Sequence, residues 1–208
     1  MSPAHRLLVA SHNPAKAGEI AQILRNEGLE FAVLSLQELP DISLPPETGS
    51  TFAANAAAKA KHAAEAAGIP ALADDSGLEV EALDGEPGVR SARYLGASAT
   101  DEDRCEKILQ LLRGVPDDRR LARFRCAAAY AESDGDVLLA EDACSGRIAR
   151  ERVGRGGFGY DPIFIPDGET RTMAQLTPDQ KHAISHRGRA LRLLARLIRK
   201  HLAEGRSG

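Results

Sequence analysis

The chain predicts an α/β protein built on a mixed sheet flanked by helices, and two patterns carry that prediction. Over the first half, short apolar runs alternate with helical segments punctuated at both ends, as in parallel βαβ units. Past residue 120, two long alternating segments flank an SDGD turn at Ser133–Asp136, as in an antiparallel hairpin. The 208 residues, 43% hydrophobic, suffice for one sizeable domain with its own core. No repeat, long linker or low-complexity tract divides them. We therefore expect a single domain over residues 1–208, with a short basic tail from about residue 199.

Taken in order, Arg6–Ala10 reads as a short buried strand. In the helix that follows, Asn13 is placed to cap, Pro14 to open and Gly28 to close, with Ile20, Ile23 and Leu24 on the buried face. Phe31–Leu36 is a second strand. The prolines of DISLPPETGS mark a loop, and Ser50 or Thr51 then opens an Ala-rich helix ended by Gly68. Ala71–Asp74 is a third strand, followed by a Ser-Gly turn signal. Thr100 and Asp103 form a capping-box pattern for a helix running to Leu112. In Leu121–Ala131, Phe124, Cys126, Ala128 and Tyr130 share one face and Arg123 and Arg125 the other. TPDQ at Thr177–Gln180 starts a short helical turn. Ser185 is placed to cap a last helix with Leu191, Leu194, Leu197 and Ile198 on one stripe.

Composition excludes several classes. Aromatics make up 4% and Trp is absent, so the core rests on Leu, Ile, Val and Ala. A net charge of -3 argues against a whole-surface nucleic-acid binder. Three cysteines, Cys126 and Cys144 among them across the expected hairpin, fit reduced thiols better than a disulfide framework. The N-terminus lacks a signal-peptide pattern, and no apolar run approaches the ~18 residues a bilayer span needs. We expect a cytoplasmic protein with no membrane partner.

Five segments carry residue types suited to chemistry. In Ser11–Lys16, SHNPAK, a strand leads into a helix N-terminus, whose unpaired N–H groups suit a phosphate. Lys16 sits where acids are normally favoured, so it either faces an anion or is simply solvated. On the Ala-rich helix, Phe52, Asn55, Lys59 and Ala63 lie along one face, either a solvated stripe or one pressed closely on something. Asp74 and Asp75 are adjacent carboxylates whose repulsion calls for a cation unless they merely cap a turn. Mg²⁺ takes one or two carboxylates plus water and phosphate oxygens, so Glu47 with an aspartate would suffice, and a carboxylate there could deprotonate a water. The glycine-rich run Gly156–Phe164 lets backbone approach a ligand, with Phe158 or Tyr160 as a stacking face, or it is a connection whose aromatics join the core. Ile163 and Phe164 fit the core. Lys181, His186 and Arg187 precede the leucine stripe of a basic C-terminal segment, and packing does not explain them.

In chain order, SHNPAK, ETGSTFAANAAAKA, ADDSGL, PGVRSARY, GGFGYDPIF and K..ISHRGRAL resemble the inosine triphosphate pyrophosphatase family, the bacterial XTP/dITP diphosphatases, over roughly residues 6–198. The resemblance implies an elongated mixed sheet with two lobes around a central nucleotide cleft, and a homodimer. It implies Mg²⁺-dependent hydrolysis of non-standard purine nucleoside triphosphates (XTP, ITP, dITP) to monophosphate and pyrophosphate. Asp75 would be proton acceptor and metal ligand, Glu47 the other ligand, and Asp74 a support. Ser11, His12, Asn13, Pro14, Ala15 and Lys16 would line the triphosphate, with Asn55 and Lys59 facing the phosphates. Ser76, Phe158, Gly159, Tyr160, Asp161, Lys181, His186 and Arg187 would surround the nucleoside. The chain departs from the family at Ser11-His12, at Ala54 and at Gln175. Two other readings stand beside this one: a pyrophosphatase for modified pyrimidine or methylated nucleotides, and a non-hydrolytic nucleotide- or RNA-binding module.

Overall fold

The computed structural model describes residues 5–11 and 14–204, with only the backbone described at Pro14, Ala15 and His182. Six strands, His5–Val9 (β1), Phe31–Ser35 (β2), Ala71–Val80 (β3), Leu121–Ala131 (β4), Val137–Ile148 (β5) and Phe164–Pro166 (β6), form one sheet in the order β2-β1-β3-β4-β5-β6. β1 runs parallel to β2, with Leu7 opposite Val33, and parallel to β3, with Val9 opposite Leu72. β6 runs antiparallel to β5, with Arg147 opposite Ile165. The sheet is mixed, as the alternation and the hairpin imply. The helices are Pro14–Asn26 (α1), Phe52–Ala67 (α2), Asp101–Leu111 (α3), Pro178–Ile184 (α4) and His186–Glu204 (α5). No helix among the described residues is long and apolar enough to cross a membrane.

The packing divides into two compact units. The first comprises Met1–Asp75, Cys126–Asp142 and Arg187–Gly208. Its core gathers Leu7, Val9, Leu72, Cys126, Ala128 and Tyr130 from the strands, Ile20, Ile23 and Leu24 from α1, and Leu191, Leu194 and Ile198 from α5. α2 starts at Thr51, whose hydroxyl accepts from the Ala54 N–H at 3.1 Å, and stops at Gly68, which takes the left-handed φ of 64° that side chains resist. Ala56, Ala60, Ala63 and Ala64 are fully buried on one face of α2, where side chains this small allow close approach. One residue of the expected α5 stripe falls outside it: Leu197 is 40% exposed. Lying one residue before Ile198, it is turned about 100° off the buried line, which Ala190 and Ala195 complete instead.

The second unit comprises Ser76–Arg125 and Ala143–His186, with a core of its own around Leu78, Val80, Ile108, Leu112, Phe124, Ile148, Ile163 and Phe164. α3 opens on the full capping box: the Asp103 N–H donates to Thr100 Oγ1 at 3.1 Å and the Thr100 N–H to Asp103 Oδ2 at 2.8 Å. α4 opens in the same way on Thr177 and Gln180. Ser185 is extended between α4 and α5, and its N–H donates to the Lys181 carbonyl at 2.8 Å. Arg120, which nothing in the sequence pattern marks, is buried and donates to the carbonyls of Leu112, Ile148 and Ala149 at 2.6, 2.9 and 2.6 Å. Those bonds tie the end of α3 to β5, and each satisfies a buried oxygen that would otherwise be costly.

The strand boundaries correct one expectation. β3 does not end at the aspartates but continues through Ser76 and Gly77 to Val80, because Leu78 and Val80 bury into the second core and keep the chain extended. The face shared by Phe124, Cys126, Ala128 and Tyr130 likewise serves both cores, Phe124 the second and the others the first. Cys126 and Cys144 are unbridged thiols in different cores, and Cys105 is unbridged as well.

Candidate active site

The pleat of β3 resolves the adjacent aspartates. Successive side chains leave a strand on opposite faces, and the two carboxylates have separate side-chain partners. Asp74 accepts from Lys16 Nζ of α1 at 3.1 and 3.2 Å and from Arg187 Nε of α5 at 3.0 Å. Arg187 also lies 3.9 Å from Glu19 of α1. Burial alone would raise the Asp74 carboxyl, but Lys16, Arg187 and Lys59 together hold it well below the usual carboxylate range. Burial would likewise discharge Arg187, and the Asp74 carboxylate keeps it firmly charged.

Asp75 faces α2. Asn55 Nδ2 donates to its Oδ2 at 2.8 Å, and the Asn55 side-chain oxygen accepts from the Gly49 N–H at 2.8 Å, so the amide cannot turn without losing a bond. A Cβ on Gly49 would come within 2.6 Å of that oxygen, which is why the loop turns on a glycine there. Lys59 Nζ donates to Glu47 Oε1 at 2.6 Å and to the Asp74 carbonyl at 2.8 Å, and lies 3.8 Å from Asp75 Oδ1. Burial raises the Asp75 carboxyl, against the pull of Lys59 and the Asn55 hydrogen bond, and the nearby Glu47 and Asp74 charges push it further up. Asn55 and Lys59 are buried, so this face of α2 is not a solvated stripe.

Two carboxylates sharing one ammonium suit a hard divalent cation, the Glu47 and Asp75 oxygens being the only protein ligands it would need. No cluster of three His, Cys, Asp or Glu side chains among the described residues could hold a metal unaided.

In the second unit the glycine-rich loop is held by side chains of its own surroundings. Asp161 Oδ2 accepts from the Phe158 N–H at 2.8 Å and from Lys181 Nζ at 2.5 Å. Gly157 has φ 74°, and a Cβ there would collide with Asp161 Oδ2 at 2.0 Å, so no other residue fits. Of the two candidate stacking rings, Tyr160 is buried with its hydroxyl donating to the Ser91 carbonyl at 2.9 Å, and it belongs to the core. Phe158 is 54% exposed, with Lys181 Nζ 4.5 Å from its ring centroid. The His186 ring stacks on Phe124 at 4.8 Å. Ile163 and Phe164 are core residues, as expected.

Thus Lys16, Glu47, Asn55, Lys59, Asp74, Asp75 and Arg187 come together in the first unit, and Phe158, Gly159, Tyr160, Asp161 and Lys181 in the second. Ser11 follows β1, and Ser76 follows Asp75 on β3. His12 and Asn13 lie outside the described residues, and Pro14 and Ala15 are placed only as the first turn of α1. Two contributors escaped the sequence reading. Glu19, three residues after Lys16, looks like any helical charge, and Asp101, which accepts from the Gly159 N–H at 2.7 Å, looks like an ordinary first-turn acid. The departures at Ala54 and Gln175 leave local structure intact, since Ala54 supplies the N–H that Thr51 caps and Gln175 Oε1 accepts from the Thr172 N–H at 2.9 Å.

Known proteins match this chain over most of its length. The sequence profile of the Ham1 family covers residues 7–197. A dITP/XTP pyrophosphatase of Salmonella paratyphi A is 46% identical over 196 residues, 93% of this chain and 98% of that protein. One from Cutibacterium acnes is 44% identical over 203 residues, 97% and 99% respectively. The solved structure of a HAM1 protein from Coxiella burnetii superposes with a TM-score of 0.86 at 43% identity, covering 94% of this chain and 99% of that one. The resemblance carried by the six motifs is borne out, and the chain belongs to the Ham1 family.

Proposed function

We propose that this protein hydrolyses non-standard purine nucleoside triphosphates (XTP, ITP and dITP) to the monophosphate and pyrophosphate, by attack of water on the α-phosphate. The single observation that carries the mechanism is the Asp75 carboxylate, oriented by Asn55, shared with Glu47 through Lys59, and raised in basicity by burial. Glu47 and Asp75 would hold Mg²⁺, which would neutralise phosphate charge. Asp75 takes the proton of the attacking water as its oxygen bonds to the α-phosphorus and the bond to the bridging oxygen of pyrophosphate breaks. Lys16, in the first turn of α1, and Lys59 stabilise the departing pyrophosphate. Asp74 holds Lys16 and Arg187 in place.

Phe158 stacks on the purine, with Lys181, Asp161, Ser76, His186 and the backbone of Gly159 and Tyr160 around the nucleoside. A hydrogen-bond donor near His186 and the Tyr160 N–H would match a 6-keto group, the Phe158 and Gly159 N–H groups being held by Asp161 and Asp101. A buried polar site can reject the 6-amino purine by up to ~10⁴–10⁵, since its own groups would be left unpaired. The protein works as a cytoplasmic homodimer, which light scattering of the purified chain would test.

Pyrophosphate release from ITP, XTP, dITP, GTP and ATP, with and without Mg²⁺, tests the activity. Turnover of the first three that needs the metal is expected. Equal kcat/KM for ATP and ITP would overturn the specificity, and binding without turnover of any triphosphate would overturn the reaction.

A further inference from the structure

We propose that Asp101 and Cys105, one turn apart on α3, are a positioning pair that clamps the Gly159 peptide and so keeps the Phe158 ring presented for a purine. This rests on the reading of the Phe158 loop as the nucleoside side of the site.

Residues 154–159 contain four glycines in six positions, so the unconstrained loop would have exceptional backbone freedom. It is pinned nearly peptide by peptide. The Gly156 N–H donates to the Ala174 carbonyl at 3.0 Å, and the Phe158 N–H to Asp161 Oδ2 at 2.8 Å. At Gly159 both backbone groups are taken by α3. The N–H donates to Asp101 Oδ2 at 2.7 Å, and the carbonyl accepts from Cys105 Sγ at 3.4 Å. Burial pushes the Cys105 thiol up to about 12, so its S–H is present to donate at neutral pH.

Asp101 is itself oriented. Its other oxygen accepts from Arg104 NH1 at 2.9 Å, and Arg104 Nε donates to the Tyr94 carbonyl at 3.2 Å. Gly159 has a left-handed φ of 60° and follows directly on the exposed Phe158. Fixing its peptide limits the swing of that ring. A bland account would have Asp101 serve only the helix dipole. The same turn supplies the control, because Asp103 caps α3 through Thr100, with no bond to the loop.

The test compares Asp101→Ala, Asp101→Asn, Asp103→Ala and Phe158→Ala, reading steady-state kinetics on ITP and hydrogen exchange at the Gly159 amide. Asp101→Ala should raise KM about tenfold, within the ~10²-fold that a misplaced group can cost, with kcat within about twofold. It should speed Gly159 exchange at least about tenfold. Asp101→Asn, whose amide oxygen still accepts, should restore most of both. Asp103→Ala should lower Tm yet leave KM unchanged, and in a Phe158→Ala background Asp101→Ala should add less than about twofold to KM. An unchanged KM in Asp101→Ala while Phe158→Ala raises it would overturn the clamp, as would an equal rise in Asp103→Ala. An unchanged KM in Phe158→Ala would instead overturn the reading of the loop itself.

Discussion

The two units place their candidate site groups differently. The first keeps its charges inside: Asp74, Asp75, Lys59 and Arg187 are all buried, and all sit on strands or helices. The second sets Phe158 and Gly159 on a glycine-rich loop, beside Lys181 of α4, and shows an aromatic ring to solvent, steadied by backbone bonds to carboxylates. Charge chemistry needs fixed dipoles and low dielectric, so it is built on rigid elements that enforce both. Recognition of a flat base needs a reachable face, and a loop offers one at the price of restraints.

The contrast can be broken first at Asp75. Asp75→Asn should cut turnover by at least ~10²-fold while the chain still folds, measured by pyrophosphate release and thermal unfolding. Near-normal turnover would move the base elsewhere. Asp74 is expected to behave oppositely. Asp74→Ala strands Arg187 inside the unit and should destabilise by ~3–5 kcal/mol in denaturant titration, whereas Asp74→Leu with Arg187→Met should recover most of that. In the second unit, Phe158→Ala should weaken ITP binding by about 1–3 kcal/mol in KM with little change in Tm, because the ring is more than half exposed.

The smallest effect is in pH, and its sign differs between neighbours. The Asp74 carboxyl is lowered, so its contribution to stability is present above its ordinary 3.8 and is lost as pH falls further. The Asp75 carboxyl is raised, so its contribution is present below 3.8 and is lost as pH rises through its folded value. In chelator-treated protein, Asp75→Asn should therefore gain Tm relative to wild type as pH rises above 3.8. Asp74→Asn should have the lower Tm throughout that range, with the deficit narrowing as pH falls below 3.8.

Local signals carried much of this into the sequence. Thr51 and Gly68 bracket α2, Thr100 and Asp103 open α3, and alternation marks β4 to the residue, because caps and periodicity act within a few residues. The demand of two adjacent aspartates for positive charge was legible too. Its source for Asp74 was not: Lys16 lies 58 residues away and Arg187 113, and nothing local announces such pairs. The continuation of β3 past Ser76-Gly77 was hidden for the same reason, since a turn signal was outweighed by a core assembled from distant segments.

That separation of 113 residues has a consequence for how the protein is made. The first unit is discontinuous, and its last segment, from Arg187 onward, brings both the apolar stripe of α5 and the partner of Asp74. Chains fold from the N-terminus as they leave the ribosome. Every segment of the second unit is therefore synthesised before the first can close. A nascent chain stopped short of α5 holds a carboxylate without its arginine and the first core without the leucines of α5. The unit that carries the proposed acid-base residues therefore gains its last segment, and Arg187 with it, only at the end of synthesis.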